Sequence, residues 1–203
     1  MNYFVTGIGT DSGKTIISAI LCEALKADYW KPVQAGLPRD TETVAALISN
    51  KTTVLHPERF VLRTPASPHA AAKIDGVNIS LDSFSLPETS NALIVEGAGG
   101  CMVPLNDHDV VADLIAKLAM PTIVVSNHYL GSINHTLLTV EMLKHRMIPI
   151  VGLIFNGDEN PETERIILHR TKVPCLLRIK REVVVDKTVI AKYAKELNRN
   201  WNG

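Results

Sequence analysis

The stretch YFVTGIGTDSGKT, residues 3–15, joins an apolar run to a helical pattern through a polar loop that contains glycine. Residues 3–6 have the β-rich composition of a buried strand, and residues 14–26 carry apolar side chains at the spacing of a helix. Backbone N–H groups at the start of such a helix point at phosphate oxygens, and glycine permits a close approach because it has no Cβ. The stretch therefore predicts a phosphate-binding loop (P-loop).

The loop differs in its spacing from the general P-loop pattern. Five residues separate Gly7 from Gly13, where the general pattern has four, and Ile8 stands where that pattern has its first glycine. The Gly13-Lys14-Thr15 triplet is intact, so we expect Lys14 to reach the β- and γ-phosphates and the Thr15 hydroxyl to bind Mg²⁺. The alternative is a glycine-rich turn with an incidental lysine, but the flanking strand and helix favour nucleotide binding.

Strand-like and helix-like segments alternate along the chain. Most strand-like runs are apolar on both faces, as in a buried parallel sheet, and parallel strands need right-handed crossovers. The predicted fold is therefore α/β: one P-loop NTPase-like domain, residues 1–203, with a mostly parallel sheet and helices on both faces. The predicted strands are 3–6, 29–33, 92–96, 122–126, 150–155 and 173–177, and the predicted helices are 14–26, 40–49, 110–118, 133–146, 161–170 and 187–198.

The segment 51–89 has the weakest pattern. It is rich in Pro, Ser and Thr, and only residues 59–62 resemble a strand. A connection of this length in a compact domain is more often functional than idle, so we expect it to have a functional role.

Composition and charge argue against several classes of protein. The chain has 21 Lys+Arg and 21 Asp+Glu, so there is no general attraction to nucleic acid or anionic lipid. Three cysteines without a C-x-x-C pair favour neither a disulfide framework nor a zinc knuckle. No apolar run approaches the roughly 18 residues of a membrane span, and no signal-peptide pattern is present. We expect a cytoplasmic protein that binds neither nucleic acid nor membrane.

Charged residues end two of the predicted strands, where ligands bind in open α/β sheets. Glu96 precedes the glycine-rich segment 97–100, and Lys31 ends the second strand. A lysine in this place can stabilise a transferring phosphoryl group. The alternatives are a solvated surface lysine and a glutamate that caps a turn.

Two carboxylates begin the helix predicted after residue 39. The helix dipole accounts for both Asp40 and Glu42. One of them could also complete a Mg²⁺ shell with Thr15 and Glu96, since Mg²⁺ needs only one or two carboxylates besides phosphate oxygens and water. Residues two apart on a helix do not share a face, so we do not expect both to bind one ion.

Four segments together resemble one family, the ATP-dependent dethiobiotin synthetases. VTGIGTDSGKT (5–15) is similar to the family's T-G-T-D-T-x-V-G-K-T, including the extra residue, and KPVQAG (31–36) is similar to its K-P-V-x-[ST]-G. PASPH (65–69) resembles P-x-S-P-H, and VEGAGG (95–100) is the family's sequence unchanged.

The resemblance continues in LGSINH (130–135) and Asn156, and it runs from residue 3 to residue 158. It implies a homodimeric enzyme that joins CO₂ to 7,8-diaminopelargonate at the expense of MgATP. One amine would form a carbamate that is then phosphorylated, and the second amine would close the ureido ring, which leaves dethiobiotin, ADP and phosphate.

Site residues carry over by position. The implied catalytic residues are Lys14 and Lys31, which would stabilise carbamate and phosphoryl charge. The implied Mg²⁺ ligands are Thr15, Asp40 and Glu96; Asp40 is preferred to Glu42 because it stands four residues before the apolar Val44, as in the family. The implied ATP-binding residues are Gly9, Thr10, Asp11, Ser12, Gly13, Lys14, Thr15, Glu96, Gly97 and Asn156. The implied substrate-binding residues are Thr10, Lys31, Ala35, Gly99, Gly100 and, from the partner subunit, Asn134.

The sequence departs from the family at several positions. Asp11 stands where Glu is frequent, Ser12 where Val is usual, and Ala35 replaces a hydroxyl residue expected near the substrate. The family's G-E-I-P after the sixth strand is replaced by LLRIK (176–180), which affects the expected purine and ribose contacts.

Two other functions are compatible with a P-loop. A partitioning or septum-positioning ATPase would dimerise around ATP without ligation, and the basic amphipathic run from Lys187 to Arg199 would suit a membrane-surface helix. Such proteins carry a lysine four residues before the second glycine of the loop, where this chain has Gly9. A paralogue that binds its ligands without turnover is the third possibility.

Overall fold

The structure is a computed structural model that describes residues 1–201. Its strands are β1 (Tyr3–Gly7), β2 (Asp28–Trp30), β3 (Val33–Ala35), β4 (Leu55–His56), β5 (Phe60–Leu62), β6 (Leu93–Gly100), β7 (Thr122–Asn127), β8 (Ile150–Asn156) and β9 (Cys175–Ile179). Its α-helices are α1 (Lys14–Leu25), α2 (Asp40–Leu47), α3 (Pro68–Asp75), α4 (Val111–Leu118), α5 (Ser132–His145), α6 (Pro161–Thr171) and α7 (Lys187–Asn200).

Seven strands form one sheet in the order β4-β2-β6-β1-β7-β8-β9, with parallel pairing between neighbours. Strands β3 and β5 form a separate parallel pair. Because the strands of the main sheet run in one direction, the loops after β1, β2 and β6 meet at a single edge. The predicted parallel α/β sheet is confirmed, and the P-loop lies at this edge.

Alternate residues of the central strands enter two cores, one on each face of the sheet. The core on the α4 and α5 side contains Phe4, Val95, Val124 and Phe155. The core on the α1 and α7 side contains their neighbours Val5, Ile94, Ile123 and Ile154. Each such side chain contributes about 1.5–3 kcal/mol when it is fully buried. The strands therefore require helices on both faces, as their apolar runs predicted.

The predicted strand over residues 29–33 is wrong, because the structure divides it into β2 and β3. Pro32 lies between them and has no N–H to donate to a neighbouring strand. Its carbonyl accepts hydrogen bonds from the backbone N–H groups of Arg59 and Phe60, both at 3.0 Å. The chain thereby leaves the main sheet at Lys31 and pairs with β5 instead.

The segment 51–89 contains more structure than its pattern indicated. Strand β5 corresponds to the predicted run 59–62, but β4 and helix α3 were missed. Helix α3 begins with Pro68 in its first turn and ends before Gly76, whose φ of +68° is left-handed. Proline at the start and glycine just after the end are helix signals, and eight residues were too few to show a clear apolar period.

The remaining elements differ from the prediction only at their ends. The six predicted helices are present, and strand β9 starts at Cys175 rather than residue 173. Pro174 precedes β9 and again has no N–H, although its carbonyl accepts from Leu153 N at 2.8 Å. Within residues 1–201, no helix is long and apolar enough to cross a bilayer.

Candidate active site

Two glycines give the P-loop its shape. A Cβ on Gly7 would lie 2.1 Å from Ser12 Oγ, and a Cβ on Gly13 would lie 2.3 Å from Asn156 Nδ2. Gly13 also has a left-handed φ of +92°. The Ser12 side chain is buried, and its hydroxyl has no hydrogen-bond partner among the described residues. The loop therefore offers a ligand the backbone of Ser12 rather than its side chain.

A cavity of about 770 Å³ opens beside the P-loop at the carboxyl edge of the sheet. Its walls come from the P-loop, the segment 31–40, residues 65–68 and the end of β6. The segment 51–89 thus contributes residues 65–68 to the cavity. The predicted site residues that line it are Thr10, Asp11, Gly13, Lys14, Thr15, Lys31, Ala35, Asp40, Glu96 and Gly99.

Lys31 is buried at the base of this cavity between two carboxylates. Its Nζ lies 2.9 Å from Glu96 Oε1 and 2.7 Å from Asp40 Oδ2, and it donates to the Gly97 carbonyl at 3.1 Å. Burial alone would lower the pKa of Lys31, but the charges of Glu96 and Asp40 outweigh it and raise that pKa above its usual value. Lys31 is therefore a fixed positive charge rather than a solvated surface lysine.

The Thr15 hydroxyl faces the same two carboxylates. Thr15 Oγ1 lies 3.1 Å from Asp40 Oδ1 and 3.0 Å from Glu96 Oε1. Mg²⁺ prefers oxygen ligands and keeps several waters, so one hydroxyl and two carboxylates beside a phosphate suit it. Among residues 1–201 no cluster of three or more His, Cys, Asp or Glu side chains could hold a metal by itself. The donor set fits a cation that arrives with a nucleotide.

Glu42 points away from this group of oxygens. Its Oε1 accepts from Arg39 Nε at 2.9 Å and from Arg39 Nη2 at 2.7 Å, and both side chains are exposed. Asp40, two residues earlier, is turned toward Thr15. The structure therefore brings Asp40, and not Glu42, to the candidate metal site.

Lys14 is the second buried lysine of the cavity. Its Nζ donates to the Gly9 carbonyl at 3.3 Å. Burial, and next the positive charge of Lys31, lower the pKa of Lys14 to about 8, although Glu96 and Asp40 act in the opposite direction. An anionic ligand bound at the P-loop would favour the charged form of Lys14 and raise its pKa again.

Asn156 lies at the end of β8, on the other side of the P-loop. Its Nδ2 donates to the Ser12 carbonyl at 2.9 Å. A smaller cavity of about 200 Å³ lies next to it, lined by Gly13, Ile179, Val185 and Tyr193 among others. Ile179 and Lys180, which end the segment that replaces the family's G-E-I-P, line this cavity together with Asn156 and residues from the segment 181–193.

The other predicted site residues differ in their distance from the main cavity. A Cβ on Gly99 would lie 3.6 Å from Thr10 Oγ1, and a Cβ on Gly100 would lie 3.3 Å from the Gly7 carbonyl, so this turn packs on the P-loop. Asn134 is exposed near the start of α5 and does not line the cavity of its own chain.

Sequence reasoning missed two buried residues that support the site. Gln34 accepts from the Asp40 backbone N–H at 3.0 Å and donates to the Gly36 carbonyl at 3.0 Å, so it holds the turn before α2. Tyr29 donates to Glu96 Oε2 at 2.9 Å. A polar Gln directly after the predicted strand 29–33 was a usable signal, whereas a Tyr inside an apolar run is indistinguishable from a core residue.

The P-loop joins β1 to the helix that starts with Lys14, and it faces two carboxylates across one cavity. This arrangement is that of a P-loop nucleotide-binding protein. Solved structures agree at the level of the fold. A ParA family ATPase from Chlorobium tepidum matches with a TM-score of 0.56 and 15% identity, over 98% of this chain and 94% of that one. The septum site-determining protein MinD with Mg-ADP from Pyrococcus horikoshii matches with a TM-score of 0.59 and 15% identity, over 98% and 95%.

Sequence comparison is more specific. A family model described as an AAA domain matches residues 1–188. ATP-dependent dethiobiotin synthetases from Cytophaga hutchinsonii and Christiangramia forsetii are 54% and 52% identical, each over 98% of this chain and over 98% and 96% of their own lengths. The chain belongs to the ATP-dependent dethiobiotin synthetase family. The predicted family is confirmed, and these identities favour it over the partitioning-ATPase alternative.

Proposed function

We propose that this chain is a Mg²⁺-dependent dethiobiotin synthetase of the cytoplasm, which acts as one ligase domain on 7,8-diaminopelargonate, CO₂ and ATP. The supporting observation is the position of Lys31. It is a buried cation in the same cavity as the P-loop, and it lies between the carboxylates that face Thr15. A fixed positive charge at this place stabilises negative charge that develops between a bound phosphate and a second substrate.

One amine first adds to CO₂ and loses a proton, which gives a carbamate, and two further chemical steps follow. A carbamate oxygen attacks the γ-phosphorus and ADP leaves, which activates the carbamate carbon. The second amine then attacks that carbon, the C–O bond to phosphate breaks, and the ureido ring closes. Both steps place negative charge on oxygens near the phosphate, so they need positive charge that is present before the reaction starts.

Two lysines would divide this task. Lys14 at the start of α1 would contact nucleotide phosphates, as in other P-loops. Lys31 would contact the carbamate and the transferring group. An ammonium group has three N–H donors, and those of Lys31 are engaged by Glu96, Asp40 and the Gly97 carbonyl. Binding of the carbamate therefore requires Lys31 to exchange one of these partners for the ligand.

Thr15, Asp40 and Glu96 would hold Mg²⁺. The ion would neutralise phosphate charge and help to orient the γ-phosphoryl group. The oxygens of the three side chains already converge in the structure, so little rearrangement of the chain is needed to bind the ion.

The diamine would lie in the main cavity against Thr10, Ala35, Gly99 and Gly100. Ala35 has no hydroxyl to offer it. Ser67 also lines the cavity, and its hydroxyl is 3.1 Å from His69 Nδ1. Adenine would lie in the smaller cavity beside Asn156.

A homodimer would complete the substrate site with Asn134 of the second subunit. Two apolar side chains close to Asn134 in the sequence are exposed, Leu130 fully and Ile133 by 37%, and a second subunit would cover them. Light scattering at nanomolar protein, with activity measured in the same sample, tests this assignment. A fully active monomer would exclude a site that is shared between subunits.

The direct test of function is formation of dethiobiotin from 7,8-diaminopelargonate, bicarbonate and MgATP. We expect product only when all three are present, and none from Lys31→Ala. ATP hydrolysis that does not depend on the diamine would favour a partitioning-type switch. Nucleotide and diamine binding without product would favour a binding-only paralogue.

A further inference from the structure

The strongest unassigned contact of the site joins Tyr29 to Glu96. Tyr29 on β2 is fully buried, and its hydroxyl donates to Glu96 Oε2 at 2.9 Å. The other carboxylate oxygen, Oε1, lies within 3.0 Å of both Thr15 Oγ1 and Lys31 Nζ. The two oxygens of Glu96 thus have separate partners, with the phenol on the core side and the ligand-facing groups on the other.

The sheet register makes this contact possible. Strands β2 and β6 are parallel, and Tyr29 pairs with Ile94. Residues two apart on a strand share a face, so Glu96 stands on the same face as Ile94, one step toward the carboxyl edge. The Tyr29 ring packs in the core on the α1 side, and its hydroxyl reaches toward that edge.

From this geometry we infer that Tyr29 is a positioning residue for the nucleotide-bound cation. The phenol holds Oε2 and so fixes the rotation of the Glu96 carboxylate, which keeps Oε1 directed at Thr15 and the phosphate site. This inference rests on the proposed function, because it needs Glu96 to be a metal ligand. It adds a residue that touches neither cation nor substrate.

A neutral donor suits this position. Burial, and next the charge of Glu96, raise the pKa of the Tyr29 phenol well above its usual value, so it remains protonated. Without the hydroxyl, Oε2 would be a buried acceptor with no donor, since Glu96 is only 1% exposed. The carboxylate would then turn to find another partner.

The test is Tyr29→Phe, which removes one oxygen and keeps the ring. Mn²⁺ binding in the presence of a non-hydrolysable ATP analogue is followed by electron paramagnetic resonance, without turnover. Loss of an outer hydrogen bond to a metal ligand weakens metal affinity by about 10- to 100-fold, and we expect a rise of that size in the Mn²⁺ dissociation constant. Affinity for the nucleotide without metal should change little.

A matched control lies at the other end of β2. Asp28 begins β2, at the edge of the parallel sheet opposite the P-loop, and its buried carboxylate accepts from Thr89 Oγ1 at 2.5 Å. Thr89→Val also removes a hydroxyl from a buried carboxylate, so it should lower the melting temperature and leave Mn²⁺ affinity unchanged.

Each outcome has a distinct meaning. Wild-type Mn²⁺ affinity in Tyr29→Phe would overturn the inference and leave the proposed function intact. Failure of Tyr29→Phe to fold would also overturn it, since the hydroxyl would then be needed by the core rather than by the cation. If the unmodified chain binds no Mn²⁺ with nucleotide, the proposed function itself fails.

Discussion

Nucleotide binding to this protein should be linked to proton uptake at Lys14. The structure lowers the pKa of this buried lysine to about 8, chiefly by burial and next by the charge of Lys31. Bound phosphate brings negative charge next to the ammonium group and so favours its protonated form. We therefore expect the pKa of Lys14 in the complex to return to at least its ordinary value of about 10.4.

The size of the effect follows from these two states. With a pKa of about 8, roughly a tenth of the free protein lacks the Lys14 proton at about pH 7 and roughly nine-tenths at about pH 9. Apparent nucleotide affinity should therefore fall about tenfold over this range, or about 1.4 kcal/mol. Protons taken up on binding should rise from about 0.1 to about 0.9 per site.

Isothermal titration calorimetry measures both quantities. ADP with Mg²⁺ is titrated into the protein at the two pH values, in buffers that differ in ionisation enthalpy. The matched control is Lys14→Arg, because an arginine stays charged throughout this range. Ionisation of the ligand is common to both proteins and cancels in the comparison. Equal pH dependence in the two proteins, or no proton uptake by the unmodified chain at the higher pH, would refute the reasoning.

Three further predictions concern individual side chains. Lys31→Ala should abolish product formation with little change in ATP affinity, whereas Lys14→Ala should weaken ATP binding itself; equal losses of binding would contradict the role of Lys31. Asp40→Asn should raise the Mg²⁺ concentration for half activity, and Glu42→Gln should not; the reverse result in the Mg²⁺ titration would reassign the ligand. Burial opposes ionisation of Glu23, but bonds from the N–H groups after α2 lower its pKa to about 2. The ionised Glu23 therefore stabilises the fold above about pH 4.3, and this stabilisation is lost as the pH falls toward 2. In denaturant titrations, Glu23→Gln should lower the unfolding free energy at neutral pH by about 1–3 kcal/mol. The unfolding free energy of this variant should also depend less on pH in the acid range.

Local sequence determined the parts of the fold that depend on periodicity and backbone chemistry. Strands that are apolar on both faces, such as β1, required a parallel sheet between two layers of helices. The Gly13-Lys14-Thr15 triplet between a strand and a helix required a P-loop, and the segments 31–36 and 95–100 indicated the family. These features can be predicted from the sequence because each depends on residues that are neighbours in the chain.

Other features needed the tertiary structure, because their partners are distant in sequence. The bonds from Lys31 and Tyr29 to Glu96 span 65 and 67 residues. From the residues alone, Lys31 could stabilise a phosphoryl group or be a solvated side chain, and the fold places it between two carboxylates. Likewise, nothing in an apolar run distinguishes Tyr29 from a core residue until the pairing of β2 with β6 brings its hydroxyl to a carboxylate.

The choice between Asp40 and Glu42 depends on both the local sequence and the tertiary structure. Helical geometry alone establishes that two residues two positions apart do not share a face, but it does not say which face meets the P-loop. That depends on how α2 is anchored, and the anchor is Gln34, whose side chain holds the Asp40 backbone N–H. Helical geometry allowed at most one of the two carboxylates to face the phosphate site, and the resemblance to the family favoured Asp40. Only the packing of the turn before α2 directs the Asp40 side chain to the P-loop, since orientation is a property of contacts between elements rather than of residues within one.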